Sequence, residues 1–317
     1  MAIGWVLWGA GALAAFLVTE LIYFSAVVRW DDEETVGLGY YGKSPEGRAR
    51  FKARLRWHAT LLQPILWLTA RTTKFAFDRV SFRYRGVAGP RGSCSEATFD
   101  RAAGYQARAE DVFVVTQMKA GTTWMQYLIY EVLHRGGGDL IERGTALYAV
   151  SPWIEGRKSV SIEDAPLLGR ERPSRIIKTH LPAALCPHSP AARYIYLARH
   201  PVSCFASCID FIATNVGSLA PPIEASEAWY RSPEAMWWGT WPDHVKGWWD
   251  QSRERPGVLF VFFEEMKADL PGVTRRIAAF LGLAPLDDTE LAQVVEKVSF
   301  ENMRRHRDCH IRRRYQQ

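Results

Sequence analysis

The fold follows from residues 112 to 124, which read Val-Phe-Val-Val-Thr-Gln-Met-Lys-Ala-Gly-Thr-Thr-Trp. The apolar run predicts a buried strand, and the glycine and threonines after it predict a turn into a helix. The helix is supported by apolar residues that recur at helical spacing: Met125, Leu128, Ile129, Val132 and Leu133. A helix N-terminus offers unpaired N–H groups and a positive dipole end, which favour a phosphate. We therefore predict a strand, loop and helix unit that binds an anion.

Four apolar segments of the chain predict strands. They are residues 112–116, 175–178, 194–198 and 258–263, and a helical or loop segment follows each of them. This alternation predicts an α/β fold of three layers, with a parallel sheet between two layers of helices. Ligands of such sheets bind beyond the carboxyl ends of the strands. Lys119, His180 and Arg199 all lie just past such ends, so we expect one crevice to gather them.

The order of residues in the first loop distinguishes it from the loop that binds nucleoside triphosphates, in which glycine precedes lysine. Here Lys119 precedes Gly121, and Thr122 and Thr123 lead into Trp124. This order resembles the phosphosulfate-binding loop of the sulfotransferases that use 3'-phosphoadenosine-5'-phosphosulfate (PAPS). A P-loop kinase or NTPase is disfavoured, because no hydroxyl residue follows the lysine directly to hold magnesium.

Two further segments are similar to motifs of the same family. Residues 173–182, Pro-Ser-Arg-Ile-Ile-Lys-Thr-His-Leu-Pro, resemble the strand that carries a catalytic lysine and histidine. In residues 193–211, Arg199 and Ser207 match the spacing of the family's 3'-phosphate motif. Weaker similarity is found at residues 152–155, 241–249 and 262–267. The resemblance thus covers about residues 111–303, in the family's order.

The resemblance implies a P-loop-like sulfotransferase fold and transfer of a sulfuryl group from PAPS to a hydroxyl or amine, leaving 3'-phosphoadenosine-5'-phosphate (PAP). It implies that Lys119 neutralises the departing oxygen, His180 is the general base and Lys178 braces the transferring group. The implied nucleotide-binding residues are Lys119, Ala120, Gly121, Thr122, Thr123, Trp124, Arg199, Ser207 and Phe300. No metal is implied.

The chain departs from the family pattern in three places. Val298 stands where a threonine is usual, and Phe263 where a tyrosine is frequent. The family's C-terminal Arg-Lys-Gly segment, which completes the 3'-phosphate site, has no match before the last residue, although Arg312, Arg313 and Arg314 are basic. These departures leave an alternative open, a membrane-anchored nucleotide-binding or scaffold protein of the same fold with impaired catalysis.

The N-terminal segment predicts a membrane anchor. Apart from Glu20, residues 3–28 carry no charge, and as a helix they would extend about 39 Å at about 1.5 Å per residue, enough to cross a bilayer. A helix in the membrane interface, or a buried core helix, is the alternative. Basic residues follow the segment and none precedes it: Arg29, Lys43, Arg48, Arg50, Lys52, Arg54 and Arg56. This asymmetry predicts a single-pass membrane protein whose catalytic domain faces the cytoplasm.

We expect three parts in the chain: an anchor at 1–30, a juxtamembrane segment at 31–92 and a sulfotransferase domain at 93–317. The second part contains an apolar stretch, residues 57–70, that is too short to cross a bilayer and holds Pro64. It predicts a helix on the membrane surface or packed on the domain. Gly86 to Gly92 predict a linker.

Charge and composition limit the partners. The net charge of +6 and the pI near 9.1 suit an anionic cofactor or membrane, and no nucleic-acid motif accompanies them. Five scattered cysteines indicate a reducing compartment, and we expect Cys204 and Cys208 to be core residues. The acceptor is expected to be a small or lipid-like molecule, hydrophobic or amphiphilic, in a pocket lined by Trp153, Trp237, Trp238 and Trp241. Residues 212–238 are expected to cover it or to form a surface loop.

Overall fold

A four-stranded parallel sheet lies at the centre of the predicted sulfotransferase domain. The structure is a computed structural model, and it describes residues 2–29, 45–72, 76–157, 159–216 and 220–305. The strands are β3 (Asp111–Val115), β4 (Arg175–Thr179), β5 (Arg193–Ala198) and β6 (Val258–Phe262), in the order β4-β3-β5-β6. Each neighbouring pair is parallel. The four strands predicted from the sequence are confirmed, with each boundary within one residue.

Helices connect and cover these strands. Before the sheet come α1 (Ala2–Arg29), α2 (Pro45–Thr72) and α3 (Glu96–Ala103). The helices that follow are α4 (Thr122–Leu133), α5 (Pro201–Val216), α6 (Ile223–Arg231), α7 (Trp241–Glu254), α8 (Phe263–Ala268), α9 (Leu270–Phe280), α10 (Asp288–Val298) and α11 (Phe300–Arg305). The predicted helix after the first loop is α4. The predicted cover at 212–238 contains the end of α5 and all of α6, so much of it is helical.

Two hydrophobic clusters fill the two faces of the sheet. Phe113 and Val115 of β3 belong to one cluster, and Val112 and Val114 belong to the other. Successive side chains of a strand point to opposite faces, so a strand that is apolar throughout is buried on both sides. This arrangement confirms the three-layered α/β fold. Cys204 and Cys208 are fully buried in α5, as expected.

An antiparallel hairpin precedes the sheet where a linker was predicted. It consists of β1 (Ser81–Tyr84) and β2 (Val87–Pro90), and Gly86 adopts a left-handed φ of 85° in its turn. Phe82 and Ala88 of this hairpin lie in the same cluster as Phe113. The prediction of a linker at 86–92 was therefore wrong, because its glycine serves a tight turn and its apolar residues are part of the core. The three-part division of the chain otherwise stays a prediction.

The N-terminal helices do not bear out the expected transmembrane segment. Among the residues that the structure describes, no helix has both the length and the apolar character needed to cross a membrane. The Glu20 carboxylate of α1, the one charge within residues 3–28, bonds to the imidazole of His58 on α2. The stretch at 57–70 is helical within α2, as predicted. The charged residues at 31–34 and the C-terminal residues 306–317, with their three arginines, lie outside the described residues.

Candidate active site

The loop between β3 and α4 is built around two left-handed residues. Lys119 has a φ of 67° and Gly121 a φ of 108°. Gly121 is the N-cap of α4, and having no side chain it leaves the N–H groups of the first helical turn without a side-chain cap. A Cβ at Gly121 would lie 2.8 Å from the ring of Phe263, so both the backbone angle and the packing require glycine. The unusual φ of Lys119 costs about 1–3 kcal/mol, a strain that is common at functional sites.

His180 follows β4 and bonds directly to the end of β3. Its Nδ1 lies 2.8 Å from the carbonyl oxygen of Thr116 and 3.1 Å from the hydroxyl of the same residue. A carbonyl oxygen only accepts, so Nδ1 carries the proton and Nε2 is the free acceptor nitrogen. The Thr116 hydroxyl also lies 2.6 Å from that of Thr122, the first residue of α4. His180 is thus joined to the anion-binding loop.

A buried carboxylate supports the backbone at His180. Glu155 accepts from the His180 N–H at 2.6 Å and from the Thr179 hydroxyl at 2.9 Å. Glu155 is fully buried, and burial raises the pKa of its carboxyl group. Glu155 lies in residues 152–155, which are only weakly similar to the family pattern, and no role for it was predicted from the sequence. Its function becomes visible only when the loop before β4 is placed beside the strand.

Lys178, on β4, lies in an aromatic environment. Its Nζ donates to the Tyr148 hydroxyl at 2.9 Å and lies 3.7 Å from the ring centre of Trp153. Burial lowers the pKa of Lys178 to about 8, and the nearby Glu155 carboxylate partly opposes this effect. Tyr148 was not identified from the sequence, because it lies in an irregular segment without a motif.

Lys119 and Arg199 place two more cations at the same end of the sheet. The Lys119 Nζ lies 4.5 Å from the ring centre of Phe211 on α5, and the Arg199 guanidinium donates to the Lys119 carbonyl oxygen at 3.0 Å. Burial is the main cause that lowers the pKa of Lys119, and the charges of Lys178 and Arg199 lower it further. Among the described residues, neither Lys119 nor Arg199 has a carboxylate ion-pair partner. The site therefore has an excess of positive charge that an anion would neutralise.

The electrostatics of His180 follow from the same environment. Burial lowers the pKa of its imidazole well below the usual value, and the positive charge of Lys178 is the next largest cause. His180 is therefore neutral at physiological pH. An enzyme site requires Lys119 and His180 to lie near each other, and placement on unrelated surfaces would have contradicted it. The structure brings the two loops that carry them together.

The residues expected at the adenine lie at the start of α4 and at the start of α11. Trp124 is buried, donates from Nε1 to the Val298 carbonyl at 2.8 Å and packs edge-on against Phe263. Phe300 begins α11 and is 64% exposed. Trp124 thus connects α4 to the segment that leads to Phe300. Ser207 is partly buried on α5.

Two of the four tryptophans expected in the acceptor pocket lie beside His180. Ring centres of Trp153 and Trp238 are 5.6 and 4.9 Å from that of His180. Trp237 lies one ring further out, where it packs edge-on against Trp238, with 6.5 Å between ring centres, and edge-on against Phe77 and Trp229. Trp241 donates from its indole to the Arg199 carbonyl at 2.9 Å. The aromatic surface near the imidazole therefore consists of Trp153 and Trp238.

Comparisons with known proteins show which family this chain is similar to. Residues 109–314 match the sulfotransferase domain. Sulfotransferase 1C2 of Homo sapiens is 30% identical over 205 residues, which cover 63% of this chain and 68% of that protein. Sulfotransferase 2B1 of Rattus norvegicus is 32% identical over 230 residues, 70% of this chain and 64% of that protein. The crystal structure of mouse sulfotransferase SULT7A1 complexed with PAP is similar with a TM-score of 0.55 at 27% identity, covering 71% of this chain and 77% of that one.

Proposed function

The chain belongs to the sulfotransferase family and transfers a sulfuryl group from PAPS to a hydroxyl group, and from this premise we propose that His180 is the general base. The observation that supports this role best is the 2.8 Å bond from Nδ1 to the Thr116 carbonyl, which leaves Nε2 as the free acceptor. The lowered pKa keeps the imidazole neutral and able to take a proton. A scaffold without turnover is not favoured.

Lys119 and the start of α4 form the proposed site for the phosphosulfate. PAPS supplies the sulfuryl group when bound. The residues present fit an anion, because the Nε of Arg199 is buried without a partner among the described residues and Lys119 is largely buried. Backbone N–H groups at a helix N-terminus complement negative charge. Ala120, Gly121, Thr122 and Thr123 belong to this proposed site, together with the ammonium group of Lys119.

Lys178 is proposed to stabilise negative charge beside the base. With a pKa of about 8, its ammonium group is mostly protonated at pH 7. The Tyr148 hydroxyl and the Trp153 ring hold this group in place. A fixed cation in a buried site stabilises charge more than the same cation in water would.

The nucleotide end of PAPS is assigned to residues on both sides of the loop. Arg199 and Ser207 are proposed to bind the 3'-phosphate, since a guanidinium group forms charge-assisted hydrogen bonds with phosphate oxygens. Trp124 and Phe300 are proposed to contact the adenine. The bond from Trp124 to Val298 supports this pairing, because it fixes the chain two residues before Phe300.

The acceptor is proposed to be a hydrophobic or amphiphilic small molecule. Support comes from Trp153 and Trp238, whose rings lie against the imidazole that would receive the acceptor proton. A panel of lipid, steroid and phenolic acceptors with radiolabelled PAPS tests this proposal. Activity confined to small soluble phenols would contradict it.

We propose that α1 anchors the protein to a membrane and that the catalytic domain faces the cytoplasm. Support comes from large apolar side chains of α1 that are exposed: Trp8, Leu13, Phe16, Val18 and Ile22. Exposed apolar groups on one helix are typical of membrane contact. Flotation of the full chain with vesicles should be lost on Trp8→Asp with Phe16→Asp and kept on Leu167→Asp, which changes an exposed leucine elsewhere. Protease treatment of sealed vesicles then reports which side carries the domain.

The assignment of the base is tested by His180→Ala in an assay of sulfuryl transfer. We expect kcat to fall by about 10²- to 10⁴-fold, the usual contribution of a positioned base. PAP binding, measured by calorimetry, should change little. His134→Ala is the matched control, because that histidine lies at the opposite end of α4. Near-normal turnover of His180→Ala would refute the assignment.

A further inference from the structure

Two side chains on one face of α7 donate to consecutive backbone carbonyls beside the proposed base. The Nε2 of His244 lies 2.9 Å from the carbonyl oxygen of His180, and the Nε1 of Trp248 lies 3.2 Å from that of Leu181. The two donors are four residues apart, so they share a face of the helix. Both side chains are buried. The turn that follows β4 is therefore held by α7.

The proton positions in this contact follow from its partners. Because the His180 carbonyl only accepts, the Nε2 of His244 carries the proton and its Nδ1 accepts. The acceptor position is filled by the Tyr196 hydroxyl of β5, at 2.9 Å. Burial lowers the pKa of His244 to about 4 and raises that of Tyr196, so the imidazole stays neutral and the hydroxyl keeps its proton. The bonds run from Tyr196 to His244 and on to His180.

His180 is thereby held at three points. Its N–H donates to Glu155, its ring Nδ1 donates to the Thr116 carbonyl, and its own carbonyl accepts from His244. The first two contacts come from segments around β3 and β4, while the third comes from a helix more than sixty residues later. Without the third contact, a buried carbonyl would lack its partner, and the peptide after His180 would keep only the bond from the Leu181 N–H to the Thr179 hydroxyl, at 3.0 Å. A small displacement of a catalytic group is costly, since about 1 Å can reduce the rate by about 10²-fold.

We propose that His244, whose Nδ1 accepts from the Tyr196 hydroxyl, is a positioning residue for His180. It holds the peptide that follows the base, so that the free Nε2 keeps its direction toward the acceptor hydroxyl. The inference rests on the proposed function of His180 as general base.

The test compares variants of the full chain in the sulfuryl-transfer assay. His244→Leu removes the donor and should lower kcat by about 10- to 100-fold, while the dissociation constant of PAP stays within about twofold. His244→Gln can place an amide N–H near the same carbonyl, so it should recover kcat to within about threefold of the wild type. His188→Leu is the matched control, because it removes a similar histidine bond, to the Ala183 carbonyl at 3.0 Å. Its kcat should stay within about twofold.

The outcomes distinguish the proposed function of His180 from the proposed positioning role of His244. If His180→Ala keeps its turnover, the proposed function fails. If His180→Ala is inactive and His244→Leu matches the wild type or the His188→Leu control, only the positioning role is refuted. A loss of kcat in His244→Leu that His244→Gln does not recover also refutes it, as does an equal loss of PAP binding. If His244→Leu does not fold, His244→Phe decides, because it keeps a ring at this position without the donor, and unchanged kcat in that variant overturns the inference.

Discussion

The Nδ1 of His180 and the carbonyl oxygen of Thr116 are joined by a hydrogen bond of 2.8 Å, although the two residues are 64 positions apart in the chain. The bond links the end of β4 to the end of β3, where the anion-binding loop begins. This hydrogen bond determines both the tautomer of the imidazole and the distance of the ring from the loop. The proposed base and the proposed phosphosulfate site are therefore one rigid unit.

Lys119→Ala should reduce catalysis more than nucleotide binding. The ammonium group of Lys119 is proposed to stabilise charge that develops on the departing oxygen, so its loss should lower kcat by about 10²- to 10³-fold. In the proposed site PAP would retain its contacts with Arg199 and the helix N-terminus, so its affinity should fall less. Steady-state kinetics and calorimetry measure the two effects. Lys246→Ala, which removes an exposed lysine on α7, is the control. Equal losses in kcat and in affinity would argue against the proposed role.

Glu155→Gln should move the alkaline limit of activity to lower pH. The Lys178 pKa of about 8 reflects burial, and the Glu155 carboxylate opposes that effect. Removing the negative charge lowers the pKa of Lys178 further, so the protonated lysine is lost at a lower pH. The amide oxygen can still accept from the His180 N–H. The profile of kcat against pH between 6 and 10 measures the shift, and an unchanged alkaline limb would show that Lys178 does not need its proton.

Gly121→Ala should both destabilise the protein and abolish activity. The left-handed φ costs about 1 kcal/mol for an alanine, and the new Cβ would meet the Phe263 ring at 2.8 Å. Gly86→Ala is a matched control, because its φ of 85° is similar and no atom lies within 4 Å of its Cβ position. Thermal unfolding should show a larger loss for Gly121→Ala. Equal losses would mean that Phe263 moves aside without cost.

Glu131→Gln should remove a pH dependence of stability. Burial raises the pKa of Glu131 from 4.5 to about 7. The folded protein binds this proton more tightly than the unfolded chain, so its stability decreases as the pH rises from about 4.5 to 7 and is constant above that range. The decrease should be about 3 kcal/mol, since each unit of pKa difference corresponds to about 1.4 kcal/mol. Urea unfolding at pH 5 and pH 7.5 measures it. A wild type and a Glu131→Gln variant with the same difference between the two pH values would contradict the prediction.

The sequence by itself determined the strands, the helix after the first loop and the positions of the candidate residues at strand ends. These features are local, since a run of apolar residues specifies a buried strand and a glycine specifies a left-handed turn. His180, Lys119 and Arg199 could be expected in one crevice because the carboxyl ends of parallel strands meet at one edge. The prediction of a linker at 86–92 failed because a glycine marks a turn equally well in a linker and in a hairpin.

Only the tertiary structure decided which side chains support the site. Glu155 and His244 contact His180 from distant segments of the chain, and no sequence pattern relates those segments to His180. Their hydrogen bonds form only when the core has packed. The apolar character of α1 could be predicted from its hydropathy. The bond between Glu20 and His58 could not, because it joins residues 38 positions apart. Short-range patterns record the preferences of each segment for burial and turns. Hydrogen bonds between distant segments depend on distances and directions that packing alone sets.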